Sequence, residues 1–251
     1  MSDDKPPALS PEETRRYARH LVLKGMGGQG QLKLKAARML VIGVGGLGSP
    51  VIAALAAAGV GTLGIVDNDA VSLSNLQRQF VHRTADIGRP KVESGASFVA
   101  ALIPHVTIVP HAVRLERDNA ATLLTGYDIV LDGSDSFATR LDVADAAATA
   151  RLPLVSGAVS MFDGQVTVFA PFLQRPDGGA NPGFRALFPE TPDPDDLPSC
   201  EANGVLGPLT GVVGMLMAME AIKLATGIAE PLIGRLLLYD GRAARFTELA
   251  Y

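Results

Sequence analysis

The stretch AARMLVIGVGGLGSPVIAALAAAGVGTLGIVDND, from Ala37 to Asp69, constrains this 251-residue chain more than any other. It reads as strand, tight turn, helix, strand. Met39 to Ile42 is a short apolar run rich in β-formers, and Gly43, Gly45, Gly46 and Gly48 follow at once. Ser49 to Ala58 is an almost unbroken apolar helix that Gly59 and Gly61 stop, and Leu63 to Val66 is a second buried strand ending on Asp67. Glycines permit the sharp strand-to-helix turn and the close approach of backbone to a phosphate. The helix N-terminus offers unpaired N–H groups to that charge, and an acid about 20 residues on holds ribose hydroxyls. The order predicts a nucleotide without saying which one.

The remainder continues the alternation of buried strands and helices, which predicts one α/β domain with a mostly parallel sheet and its pocket at the carboxyl ends of the strands. Ser10-Pro11-Glu12-Glu13 is a helix start with a capping box, and TRRYARHLVL continues it. Arg15, Arg16 and Arg19 cluster on this helix, the first two reading as a solvated face. Gly25 to Gly30 reads as a flexible connector into a helix over Gln31 to Ala37. DNDAVSLSNLQRQF is too polar for a core element and reads as a loop or irregular helix beside the ligand. Gly88-Arg89-Pro90-Lys91 launches a further helix, which places the Lys91 cation in a first turn, against the helix dipole; that violation marks a functional position.

Tyr127 to Leu131 is a buried strand running into DGSDSFATR. Acids at the carboxyl end of a parallel strand point into the crevice, so Asp132 and Asp135 are candidates; Asp132 also suits a simple turn, and Asp135 a helix cap that still meets a metal ion. Leu141 to Ala150 is Ala-rich helix, and Leu154 to Ala158 and Gln165 to Ala170 are strands joined at Asp163-Gly164, where the sheet turns antiparallel. Pro171 to Ser199 holds seven prolines and reads as an unpacked lid, binding segment or linker. Pro208 to Ala225 is a buried helix, and Arg235 to Tyr239 with Arg245 to Glu248 form a closing hairpin across Asp240-Gly241. The domain thus divides into a helical arm (1–36), a nucleotide-binding core (37–170), a Pro-rich crossover (171–199) and a C-terminal helix and hairpin (200–251).

Composition narrows the partners. A formal charge of −4 gives no electrostatic footprint for nucleic acid or an anionic membrane. The N-terminus lacks the basic and apolar regions of a secretory signal, which implies a cytoplasmic address. The apolar run Val205 to Met219 is broken by Gly207, Pro208, Gly211 and Gly214, too short and interrupted for a bilayer span. Cys200 is the only cysteine, so neither an intrachain disulfide nor a four-cysteine zinc site can form.

Taken together, RYARHLVL, GVGGLG, DNDAVSLSNLQRQF, GRPK, LDGSD, VSGA, GQVTVF and GVLGPLTGVVGMLMAMEAIKL resemble the ThiF/MoeB/HesA family, bacterial adenylyltransferases that activate ubiquitin-like sulfur carriers and are relatives of the ubiquitin-activating enzymes. The resemblance runs from about Ser10 to Glu248, and SNLQRQ followed by GRPK is its most specific part. It implies a Rossmann-like fold with helices on both faces and a reaction that joins the C-terminal glycine of a small Gly-Gly-ending carrier to AMP. By resemblance, Gly43, Gly45, Gly46 and Gly48 form the nucleotide turn, and Asp67, with Asp69 beside it, binds the ribose. Arg78 and Lys91 hold the phosphates, Asn75 and Gln79 support them, and Asp135 binds Mg²⁺. Arg19 reaches the partner's triphosphate across a homodimer.

Two departures stand out. Where zinc-bearing members carry CxxC in the linker, this chain reads Gly183-Phe184-Arg185-Ala186, which implies no zinc and a linker held by packing or mobile. The common Asp-Asn pair is Asp135-Ser136 here. Cys200 sits where some thiamine-pathway relatives capture the activated carrier, but the reading as a small packing residue is preferred, because adenylate formation alone needs no thiol. Arg78 and Lys91 are expected to lie outside the core, so their loss should hardly move stability. Two other readings of the same residues are an NAD-dependent oxidoreductase and a pseudoenzyme that binds carrier or nucleotide without turnover. The residues do not choose between a molybdenum cofactor, a thiamine and another sulfur-transfer route.

Overall fold

The computed structural model describes residues 8–175, 177–190 and 204–251. One eight-stranded sheet organises them, in the order β3-β2-β1-β4-β5-β6-β7-β8. The strands are β1 (Arg38–Ile42), β2 (Thr62–Val66), β3 (Thr107–His111), β4 (Ile129–Asp132), β5 (Leu154–Ser160), β6 (Asp163–Phe169), β7 (Arg235–Asp240) and β8 (Arg245–Ala250). The first five are parallel and the last three join antiparallel, as the sequence implies.

Strand periodicity sends alternate residues into two cores. Met39 and Val41 face one, with helices α4 (Gly48–Ala58), α5 (Lys91–Leu102) and α9 (Gly207–Thr226). Leu40 and Ile42 face the other, with α6 (Arg117–Leu124), α7 (Phe137–Ala150) and the short α8 (Phe184–Leu187). The order in which strands are added reverses between β1 and β4, which run parallel, and an open α/β sheet binds ligands in the crevice at such a point.

Several details differ from expectation. The first long helix is two short ones, α1 (Pro11–Arg16) and α2 (Ala18–Leu21), broken at Tyr17, whose buried ring closes on Gly59. The capping box of Ser10 and Glu13 is present. Helix α3 (Gly27–Ala36) begins inside the supposed connector, because the Met26 side chain packs over Gly30 and fixes that turn. The β5–β6 turn is Met161-Phe162, since Ser160 pairs with Asp163; Met161, at φ 51°, supplies the left-handed residue that Asp163-Gly164 was expected to provide.

Within the crossover, the described residues 177–190 include a packed segment that the prolines do not suggest. Phe184 is buried and meets Phe137, Phe169 and Phe188, and Tyr251 closes on Phe169 from the C-terminal side. Aromatic area outweighs the loop signal of the prolines here. Helix α9 is long and apolar enough to cross a membrane by length and composition, contrary to the reading of its interrupted apolar run. Its Val213, Met217 and Ala221 are instead fully buried against β5, β6 and α4, the pattern of a core helix.

Candidate active site

A cavity of about 610 Å³ opens at the carboxyl ends of β1, β2 and β4, a size that suits a nucleotide. Its floor is the glycine turn. Gly43 sits at φ +88°, which a side chain would strain, and a Cβ there would press on the Gly133 carbonyl at 3.2 Å. Gly43, Gly45 and Gly46 line the cavity, whereas Gly48 does not. A Cβ on Gly48 would lie 1.9 Å from the Gly43 carbonyl oxygen, so its absence lets α4 start directly behind the turn. No side chain caps α4; its Ser49 N–H bonds the Gly45 carbonyl at 2.9 Å and Pro50 has no N–H, so the backbone that faces the cavity is that of Gly45, Gly46 and Leu47 just before the helix.

Asp67, at the end of β2, ties this turn together. Its Oδ2 accepts from the Val44 N–H at 2.8 Å and its Oδ1 from the Asp69 N–H at 2.8 Å. Burial pushes its carboxyl up, against the pull of Lys91 and the two N–H bonds. Lys91 Nζ lies 2.7 Å from Asp69 Oδ2 and 4.0 Å from Asp67 Oδ2. Lys91 is only 6% exposed, so the expectation that it stands clear of the core is corrected: the first turn of α5 lies under the loop that follows β2. Removing it must affect the fold.

Opposite stands the loop of DNDAVSLSNLQRQF, irregular as expected, with a 3₁₀ turn over Leu73–Asn75. Asn75 Oδ1 accepts from the Ser72 N–H, holding the loop that carries Arg78. Arg78 donates to the Ser74 carbonyl at 3.0 Å, makes no ion pair among the described residues, and lines the cavity. Gln79 also lines it and is buried, with an Oε1 that has no partner among the described residues. Asp135 closes the far wall; its carboxylate is exposed and takes part in no hydrogen bond or ion pair among the described residues. Ser136, rather than Asp135, caps α7 by accepting from the Thr139 N–H.

Gly48 apart, one residue of the predicted constellation is not brought here. Arg19 is exposed on α2 and does not line the cavity of its own chain. Cys200 lies outside the described residues.

Others line the cavity unannounced. Arg140 donates to the Ser134 carbonyl at 2.5 Å and so braces the loop that presents Asp135. Its signal was in plain view, a cation in the first turns of a helix after a strand end, the same violation that marks Lys91. Arg114, Leu115 and Thr210 gave no comparable signal.

Asp132 settles as a buried strand end. It is fully buried and absent from the cavity wall; Oδ1 accepts from the Ser134 N–H at 2.9 Å, while Oδ2 has no partner among the described residues. Burial drives its pKa up, so above the ordinary carboxylate range the unfolded chain has released a proton that the folded one still holds. Stability contributed by Asp132 is greatest at low pH and declines as pH rises through its folded pKa. Asp132→Asn is expected to flatten that decline in urea unfolding followed against pH; an unchanged slope would show that Asp132 is ionised in the fold.

Sequence comparison decides the family. The pattern of the ThiF family is matched over residues 17–251. The chain belongs to the ThiF family. The chain is 50% identical to the probable adenylyltransferase/sulfurtransferase MoeZ of Mycobacterium tuberculosis, over 96% of this chain and 62% of that protein, so it spans about three-fifths of that relative. It is 48% identical to the sulfur carrier protein adenylyltransferase of Thermus thermophilus, over 95% of this chain and 87% of that one. It is 44% identical to the SAMP-activating enzyme E1 of Haloferax volcanii, over 97% and 87%. Among solved structures, E. coli MccB with ATP superposes at a TM-score of 0.80 with 19% identity, over 94% of this chain and 71% of that one. PaaA superposes at 0.80 with 21% identity, over 100% and 77%. These last two establish the ThiF fold alone.

Proposed function

We propose that this ThiF-family protein is an ATP-dependent adenylyltransferase that activates the C-terminal glycine carboxylate of a small ubiquitin-like sulfur carrier. The observation that carries the reading is the convergence, on one cavity, of an uncapped glycine turn, two cations and a carboxylate with no protein partner. The Thermus relative is a sulfur carrier protein adenylyltransferase and the Haloferax relative a SAMP-activating enzyme E1, which supports a carrier-activating reading.

The chemistry needs such a cavity. A carrier carboxylate oxygen attacks the α-phosphorus of ATP; the new P–O bond forms as the bond to the α–β bridging oxygen breaks, and that electron pair leaves with pyrophosphate. Two anions meet, so positive groups must be in place before reaction. In this reading Arg78 and Lys91 neutralise phosphate charge, with Asn75 and Gln79 holding the Arg78 loop. Asp67 and Asp69 receive the ribose, and Gly43, Gly45 and Gly46 the phosphates. Gly48 serves packing behind them.

Mg²⁺ fits the wall at Asp135. Among the described residues no group of three or more His, Cys, Asp or Glu side chains is placed to hold a metal ion, and Mg²⁺ is commonly held by one or two carboxylates plus substrate phosphates. When bound it would offset phosphate charge. The proposal further includes a homodimer completed by Arg19, a carrier ending in Gly-Gly, no zinc, and a cytoplasmic site of action, where ATP is abundant and Cys200 stays reduced.

The cavity offers no His or Tyr among its described lining for hydride chemistry, which leaves the oxidoreductase reading without support. The deciding experiment is ATP–pyrophosphate exchange with a Gly-Gly-ending carrier. Exchange that depends on the carrier is expected; nucleotide binding without exchange would overturn the proposal in favour of a pseudoenzyme.

A further inference from the structure

His82 lies at the end of the VSLSNLQRQFVHR segment, buried at 5% exposure and outside the cavity lining, yet both of its ring nitrogens are engaged by parts of the site. Nε2 is 3.0 Å from the Val44 carbonyl oxygen in the glycine turn. Nδ1 is 2.9 Å from Ser94 Oγ, one turn beyond Lys91 on α5. A carbonyl only accepts, so Nε2 carries the proton; in the neutral ring Nδ1 then accepts from the Ser94 hydroxyl. Burial lowers the imidazole pKa, with Lys91 adding to the effect against the Val44 bond, Asp67 and Asp86, and favours the neutral ring.

We infer that His82 is a positioning residue that locks the glycine turn to the helix carrying Lys91, fixing the spacing between the backbone that cradles a phosphate and the cation that neutralises it. Val44 is the residue through which this acts. Its N–H donates to Asp67, and its carbonyl accepts from His82, so the peptide units on either side of Val44 are pinned from opposite directions. Asp67 meets Lys91 at 4.0 Å, which closes a ring through Val44, His82, Ser94 and the first turn of α5. A buried imidazole with two directional bonds is a stiffer strut than apolar packing, and loss of geometry at a phosphate site is costly in binding and rate.

The inference rests on the nucleotide reading above, and the two can fail separately. The test measures ATP affinity by calorimetry with a non-hydrolysable ATP analogue, the KM for ATP in pyrophosphate exchange, and urea unfolding. It compares wild type with His82→Gln, His82→Asn, His82→Ala and Ser94→Ala. The Gln amide places a donor near the position of Nε2 and restores the bond to Val44. The Asn amide reaches only as far as Nδ1 and restores the Ser94 side alone.

The expected pattern is that His82→Ala and His82→Asn weaken ATP binding and raise KM by about tenfold, while His82→Gln stays within about threefold of wild type. Ser94→Ala, a small change that should fold, is expected to fall between them, because the ring loses its second anchor. The inference is overturned if Gln and Asn are equally impaired, if no variant alters ATP affinity, or if affinity merely follows the loss of unfolding stability across the series. A wild-type protein that binds no ATP would overturn both this inference and the reading beneath it, and the wild-type control detects that case by itself.

Discussion

Lys91→Ala is expected to lower ATP–pyrophosphate exchange by roughly 10² to 10³ fold, the range for one lost donor to developing charge, and also to destabilise the fold by about 1 to 3 kcal/mol. Arg78→Ala should match it in rate while leaving stability within about 0.5 kcal/mol, because Arg78 is half-exposed and bonds only the nearby Ser74 carbonyl. The stability difference comes from what each cation leaves behind. Lys91 is buried with a 2.7 Å bond to Asp69 and lies 4.0 Å from Asp67. Asp69 is well exposed and recovers water, so its share is small. The Asp67 side chain is only 9% exposed and its carboxyl is already pushed up, and Lys91 is the cation among the described residues that acts on its charge.

The pH dependence follows from that carboxyl. A carboxylate whose folded pKa is raised favours the folded state most when protonated, so the deficit of Lys91→Ala should shrink as pH falls through the folded pKa of Asp67. Urea unfolding of both variants across a pH series that starts in the ordinary carboxylate range and runs upward checks this. Equal stability of the two variants at every pH would mean that Lys91 does not sustain the Asp67 charge, and wild-type exchange in either would contradict its phosphate role.

Much of this site was legible because its signals are local. The glycine turn, Asp67 and the misplaced cation Lys91 each announce themselves within one strand–helix unit, and the structure lines them along a single cavity. What escaped depends on contacts distant in sequence. Lys91 could be placed in a first turn from Gly88-Arg89-Pro90, but its burial is decided by Asp67 and Asp69, more than twenty residues earlier. Arg140 carries the same dipole signal, but its partner, the Ser134 carbonyl, is a backbone group that no motif reveals.

The fold shows the same division. Period-two alternation in β1 set two faces and hence two layers of helices, and the parallel-to-antiparallel change was readable from the short β5–β6 connection. The position of that turn was not, since Asp163-Gly164 is a strong hairpin signal and only register shows Met161 taking the left-handed conformation. In the crossover, prolines masked an aromatic contact between Phe184, near the middle of the linker, and Phe169 of the sheet. Local propensity yields there to tertiary burial.

Mixing Arg19→Ala subunits with Asp135→Ala subunits is expected to restore exchange that each variant has lost alone. Arg19 belongs to an arm that is held firmly: Tyr17 is buried against Gly59, and His20 Nδ1 bonds Gln31 Oε1 at 2.9 Å, while Gln31 donates to the Ala58 carbonyl. Yet the Arg19 guanidinium itself is exposed and makes no hydrogen bond or ion pair among the described residues. A fixed arm with an unengaged cation, away from its own cavity, suits a group delivered to another subunit. In a mixed dimer one site pairs Asp135 of the Arg19→Ala subunit with Arg19 of its partner and is intact, whereas the other carries both defects. After equal mixing and free exchange, half the dimers are mixed and each holds one intact site, so about a quarter of wild-type activity should return. Subunit exchange is verified by mass-tagged subunits. If exchange is complete and activity stays at the level of the separate variants, Arg19 does not act across the interface; if Arg19→Ala alone retains full activity, it does not act at the site at all.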